Sequence, residues 1–143
     1  MAPKPRMTPR SSSSPAPART EMTPRVLIVD DEPHMLRIAE LSLKRGGYQI
    51  LTARNGLQAV ELAQRELPAL IVMDVTMPEM DGLAALRQLK ATQATAAIPV
   101  IMLTSRGQTV AREEAEVSGA ALYLTKPFSP SSLAAEAKRL IGS

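Results

Sequence analysis

Residues able to do chemistry stand directly behind four short apolar runs. Asp30-Asp31-Glu32-Pro33 follows Val26–Val29, and Asp74 follows Leu70–Met73. Thr104 and Ser105 follow Val100–Leu103, and Lys126-Pro127 comes just after Ala121–Leu124. Each has an ordinary explanation when taken alone. Asp30 and Asp31 before Pro33 could cap a helix, and Asp74 ahead of Pro78 and Gly82 could sit in a turn. Thr104 could be a structural loop residue, and Lys126 a solvated lysine. If the runs are neighbouring strands of an open parallel sheet, however, their carboxyl ends form one rim, where such sheets gather functional groups. That rim would hold three or four carboxylates, one or two hydroxyls and one ammonium. Carboxylates packed closely repel unless a cation sits among them. Magnesium is the natural candidate, because it takes oxygen ligands and binds through one or two carboxylates together with phosphate oxygens.

The elements that must position these groups are legible in the hydropathy pattern. The runs Val26–Val29, Tyr48–Leu51, Leu70–Met73, Val100–Leu103 and Ala121–Leu124 are, apart from the second, apolar throughout. Strands covered by helices on both faces have that character. Amphipathic stretches lie between them. Met35, Ile38, Ala39 and Leu43 recur at helical spacing, and Gly46-Gly47 ends that stretch. Asn55-Gly56 precedes a helix with Leu57, Val60 and Leu62, and Gly82 opens one with Leu83, Leu86 and Leu89. Residues 107–118 and 130–141 supply two more. Five β–α units in order predict an α/β fold, a parallel sheet with right-handed crossovers.

Composition excludes several classes. The 143 residues include no cysteine and one histidine, His34. That removes disulfide frameworks, thiol nucleophiles, cysteine-ligated clusters and multi-histidine metal sites. No apolar run approaches the ~20 residues of a membrane span. The net charge of +3 is concentrated at one end. Residues 1–25 carry Lys4, Arg6, Arg10, Arg19 and Arg25 against Glu21, while the remainder is close to neutral. Residues 1–24 are also rich in proline and serine and poor in large apolar residues, which predicts a disordered tail ahead of one domain over 25–143.

The segments Val-Asp-Asp-Glu-Pro (29–33), Met-Asp-Val-Thr-Met-Pro-Glu-Met-Asp-Gly (73–82), Leu-Thr-Ser (103–105) and Gly-Ala-Ala-Leu-Tyr-Leu-Thr-Lys-Pro-Phe (119–128) resemble a response-regulator receiver domain of two-component signalling. The resemblance covers nearly all of residues 25–143. It implies a CheY-like, flavodoxin-like doubly wound sheet of five parallel strands in the order 2-1-3-4-5, with helices on both faces. It implies that Asp74 is the phosphoacceptor, taking a phosphoryl group from a histidine kinase or a histidine phosphotransfer protein. Mg²⁺ would be held by Asp30, Asp31, Asp74 and the backbone carbonyl of Thr76, with Asp30 acting mostly through water. Lys126 would pair with Asp74 before transfer and with phosphate oxygens after it. Thr104 would engage the aspartyl phosphate, and Tyr123 would turn inward with it as the second half of a switch. Thr76 and Arg106 would flank the path of the hydrolytic water. The activity implied is that of a switch in the cytoplasm, not of a multiple-turnover enzyme.

The chain departs from the pattern at Ala121-Leu122, where many receivers carry two acids. That difference, and the end of the sequence soon after the last helix, predict a stand-alone receiver without a DNA-binding domain. Its output would be binding to a downstream protein, as a monomer or weak dimer. Three other readings compete. A receiver-fold scaffold could bind without phosphorylation, although the complete set Asp30, Asp31, Asp74, Thr104 and Lys126 speaks against it. A Mg²⁺-dependent phosphohydrolase usually has a second acid where this chain has Thr76. A nucleic-acid contact through the basic tail would show steep salt dependence.

Overall fold

The computed structural model describes residues 23–75, 77, 80–105, 119–126 and 128–142. Five strands appear in chain order: β1 (Arg25–Val29), β2 (Gln49–Ala53), β3 (Leu70–Asp74), β4 (Val100–Ser105) and β5 (Leu122–Lys126). Four helices are described with them: α1 (Pro33–Lys44), α2 (Gly56–Glu66), α3 (Gly82–Ala91) and α4 (Pro130–Ile141). The strands form one sheet in the order β2-β1-β3-β4-β5, and every neighbouring pair is parallel. The expected α/β architecture and strand order are therefore present.

Alternation along the strands explains why the runs are apolar throughout. Leu27, Val29, Ile71, Met73, Val100 and Met102 point to one face, where they bury against α2 and α3 through Ala59, Val60, Ala63, Leu83 and Leu86. Val26, Ile28, Leu70, Val72, Ile101 and Leu103 point to the other, against Leu36, Ala39 and Leu43 of α1 and Leu133 and Ala137 of α4. Two covered faces leave no solvated side, so the strands need no polar residues until they end. β5 is less buried along its length, as an edge strand.

Local chemistry sets the element ends. Pro33 and Pro130 sit in the first turns of α1 and α4, where a missing N–H costs nothing. Asn55 caps α2 by accepting from the Gln58 N–H, and Asp81 caps α3 by accepting from the Ala84 N–H. Gly47 turns the chain out of α1 with φ of 90°, which a side chain would resist. Ser42 is buried in the α1–α4 contact, and its hydroxyl donates to the Pro130 carbonyl at 2.6 Å.

The structure corrects the expected helix faces. In α1 the buried stripe is Leu36, Ala39, Ser42 and Leu43, while Met35 and Ile38 lie at its margin. In α2 the buried residues are Gly56, Ala59, Val60 and Ala63, and Leu57 is 45% exposed. Small residues bring this helix close to the sheet, and a pattern weighted towards large side chains overlooks them. The strand read as Tyr48–Leu51 begins at Gln49, although Tyr48 is itself buried. The strand read from Ala121 begins at Leu122. The helix expected over 107–118 and residues 1–22 of the expected tail lie outside the described residues.

Ile71, fully buried in β3, should cost roughly 2–5 kcal/mol when replaced by alanine, through lost transfer energy and the cavity left behind. Leu57→Ala should cost no more than about 1 kcal/mol. Urea unfolding of the two variants would check the contrast.

Candidate functional site

The strand order reverses between β1 and β3: β1 lies beside β2 on one side and β3 on the other. The helices that follow them leave on opposite faces, which opens a crevice beyond the carboxyl ends of those two strands. The acidic residues stand there. Asp30 directly follows β1, and its backbone N–H extends the ladder by donating to the Ala53 carbonyl at 3.1 Å. Asp74 is the last residue of β3. The next residue, Val75, donates its N–H to the Leu103 carbonyl at 3.0 Å and accepts from the Gly82 N–H at 2.8 Å. The start of α3 is thereby drawn against the end of β3. A Cβ at Gly82 would collide with the Asp74 carbonyl, so glycine is what allows the approach. At the start of α2, Gly56 is in the same position towards the Met80 carbonyl, to which its N–H donates at 2.9 Å.

One carboxylate oxygen from each of Asp30, Asp31 and Asp74 lies within 4.8 Å of the other two. Asp30 and Asp74 are buried and Asp31 is half-buried. Lys126, the last residue of β5, reaches over the end of β4 to this cluster. Its Nζ lies 3.0 Å from Asp30 Oδ2, 3.1 Å from Asp74 Oδ2 and 3.3 Å from Glu32 Oε1, with the side chain 12% exposed. Burial by itself would lower the lysine pKa. Its close pairing with Asp30 and the charge of Asp74 outweigh that, and hold the ammonium above its ordinary value of 10.5.

The pairing leaves charge uncompensated. Three carboxylates, of Asp30, Asp74 and Glu32, meet one ammonium, and Asp31 adds a fourth beside Asp30 and Asp74. Asp30 Oδ1 accepts from the Glu32 N–H at 3.0 Å. Asp30 Oδ2 is near Nζ but off any hydrogen-bond direction, and is the one fully buried side-chain oxygen among the described residues with no hydrogen bond. A buried carboxylate oxygen lacking a donor, beside two more carboxylates, suits a hard cation that carries its own waters. The residues present therefore fit Mg²⁺.

Of the residues expected at the site, Asp30, Asp31, Asp74 and Lys126 are brought together. Thr104 is buried on β4, one position past Leu103, the register partner of Asp74. Tyr123 pairs in register with Met102, is half-buried and packs against the core beneath α2 and α3. By alternation, Thr104 and Tyr123 share that face of the sheet. Thr76 and Arg106 lie outside the described residues. Residue type and spacing assign no role to Glu32 beyond a possible fourth carboxylate, nor to Arg54, whose guanidinium donates to the Asp31 carbonyl at 3.4 Å. Neither has a signal in residue type or spacing that would mark it.

The family model for the response regulator receiver domain matches residues 26–138. The chain belongs to this family. It is 36% identical over 120 residues to the alkaline phosphatase synthesis transcriptional regulatory protein PhoP of Bacillus subtilis, covering 84% of this chain and 49% of PhoP. The chain spans about half the length of the curated relatives it matches. The expectation of a stand-alone receiver therefore finds no support in them. Among solved structures, a response regulator from Chloroflexus aurantiacus aligns with a TM-score of 0.80 at 30% identity, covering 85% of this chain and 99% of that one. The receiver domain of a sensor histidine kinase from Pseudomonas aeruginosa, solved with magnesium coordinated in its active-site cleft, aligns with a TM-score of 0.78 at 33% identity, covering 85% and 99%. The receiver is a signalling domain of two-component systems and not a classical enzyme. No helix among the described residues is long and apolar enough to cross a membrane.

Lys126→Met would leave Asp30 and Asp74 facing each other with no cation, at a cost of roughly 3 kcal/mol at neutral pH in metal-free buffer. The raised pKa fixes the pH dependence. The ammonium's contribution is complete below the unfolded value of 10.5 and is lost as pH rises through the higher folded value. The stability gap between wild type and Lys126→Met should stay constant from about pH 7 to 10 and close above that range. Urea titrations across this range would measure it.

Proposed function

We propose that residues 25–143 act as a phosphorylation-driven switch in the cytoplasm. Asp74 accepts a phosphoryl group from a phosphohistidine on a histidine kinase or histidine phosphotransfer protein. The observation that carries this reading is the meeting of Asp30, Asp31 and Asp74 with the Lys126 ammonium at the point where strand order reverses. An Asp74 carboxylate oxygen forms the new bond to phosphorus as the phosphorus–nitrogen bond breaks. The electron pair of that bond returns to the imidazole, which takes up a proton. Carboxylate and phosphoryl oxygens are both anionic, so the barrier is largely electrostatic, and positioned cations lower it. Lys126 supplies one positive charge at hydrogen-bond distance from Asp74.

Asp30, Asp31 and Asp74 would hold Mg²⁺ together with the backbone carbonyl of Thr76, Asp30 acting mostly through water. When bound, the ion neutralises charge on the phosphoryl oxygens and on the acids around them. The unsatisfied Asp30 Oδ2 and the excess of carboxylates support this assignment, as does the magnesium in the Pseudomonas receiver. The aspartyl phosphate that results carries about two negative charges and three strong acceptor oxygens. Lys126 passes from carboxylate to phosphate, and the Thr104 hydroxyl turns to donate to a phosphate oxygen. Tyr123, on the same face of the half-buried edge strand, follows Thr104 inward. The altered surface around β5 is what a downstream protein reads. Thr76 and Arg106 would set the phosphate lifetime by flanking the water's approach.

Intact mass after incubation with acetyl phosphate is the direct test. Wild type should gain one phosphoryl group in the presence of Mg²⁺ and none in its absence, and Asp74→Asn should gain none. Failure of folded wild type to gain mass from acetyl phosphate or from a phosphorylated kinase would favour a phosphorylation-independent scaffold. Mg²⁺ alone should also raise the thermal midpoint, with about 2.7 kcal/mol added at a hundred times its dissociation constant. Asp31→Asn should weaken that response, read by thermal unfolding across a magnesium titration.

A further inference from the structure

Glu32 stands apart from the other acids around Lys126. It occupies the N-cap position of α1, yet its side chain makes no cap hydrogen bond. It turns away from the helix and accepts a hydrogen bond from Lys126 Nζ at 3.3 Å. Its own backbone N–H is held by Asp30 Oδ1, so the root of the side chain is fixed beside the crevice. The carboxylate end is not enclosed: the Glu32 side chain is 61% exposed, against 1% for Asp30. It also lies outside the three-carboxylate cluster.

Lys126 thus has directed hydrogen bonds to two carboxylates, one inside the site and one arriving from solvent. The inner one, Asp74, is the proposed acceptor and must stay. A phosphoryl group approaching Asp74 comes from the solvent side and brings oxygens that need the same ammonium. The bond open to exchange is the one to Glu32. We propose that Glu32 is a placeholder anion: it holds Lys126 in the unphosphorylated protein, and the oxygens of the incoming phosphoryl group must displace it. Glu32 is then a positioning residue that raises the phosphodonor concentration needed for uptake. This rests on Asp74 being the phosphoacceptor.

The test is uptake of phosphoryl from acetyl phosphate at saturating Mg²⁺, followed by intact mass over a range of donor concentrations. Wild type, Glu32→Gln, Glu32→Asp and Asp74→Asn are compared. Glu32→Gln keeps the shape and removes the charge. It should raise the uptake rate at low donor about three- to tenfold, the range expected for one partly screened charge at this distance. The maximal rate and the thermal midpoint should stay close to wild type. Glu32→Asp keeps the charge on a side chain one methylene shorter, which withdraws the carboxylate from Nζ. A placeholder in direct contact predicts that it behaves like Glu32→Gln. Uptake by Glu32→Gln at the wild-type rate overturns the inference. So does a Glu32→Asp variant indistinguishable from wild type beside a faster Glu32→Gln, since that pattern is general repulsion without displacement. No uptake by wild type, or undiminished uptake by Asp74→Asn, would instead sink the phosphoacceptor reading and the inference with it.

Discussion

Carboxylates at the end of a parallel sheet are costly to crowd together without a cation among them, and among the described residues the Lys126 ammonium is the side-chain cation paired with Asp30 and Asp74. It comes from β5 and pairs with acids carried by β3 and by the segment after β1. One charge therefore ties three parts of the sheet edge together. It is too little charge for the number of acids it meets. The site is held, but it stays negative and keeps a buried oxygen without a donor. Such an arrangement is stable enough to fold and still favours anything that brings more positive charge.

The fold makes this crowding possible in a way the acids themselves do not. Both faces of the sheet are covered, so polar groups are confined to the ends of the strands. The reversal of strand order then separates the helices that follow β1 and β3 and leaves the acids uncovered between them. Two glycines let the neighbouring helices start close by. Gly82 allows α3 to begin against the Asp74 carbonyl, and Gly56 allows α2 to begin against the Met80 carbonyl. Val75 and Met80 are consequently held by backbone hydrogen bonds, which cost no side-chain entropy.

Much of this was legible in the sequence because each signal was local. Four apolar runs ended in a chemically distinctive residue, and the runs became neighbouring strands in the expected order. The acids and Lys126 could be placed on one rim for that reason alone. What was missed depends on distances between segments far apart in the chain. Beside Val60, the buried side of α2 is built from Ala59 and Ala63, whose small size matters only once the sheet is beneath them, and from Gly56, which lies against the Met80 carbonyl. Ser42 looks like a surface residue until the Pro130 carbonyl is 2.6 Å away. Glu32 reads as one more acid in a helix-capping stretch, and its pairing with a lysine 94 positions later has no signature in either residue's neighbours.

The location of Lys126 on an edge strand has a consequence for how a charge change at Asp74 could travel. β5 is bonded to the sheet on one side only, through β4, and it is less buried than β1 or β3. The inner strands are locked by neighbours on both sides and by two hydrophobic layers, and have no second packing within easy reach. Among the described residues, β5 has one neighbouring strand to give up. It also carries both Lys126, which touches the acid cluster, and Tyr123, which packs against the core cluster on the face that α2 and α3 cover, two register positions from Thr125, the partner of Thr104. On the proposed reading, new charge at Asp74 pulls on Lys126 and Thr104 together, at adjacent strand ends. β5, an edge strand, then bears the displacement, and its surface changes while the core that positions the acids stays in place.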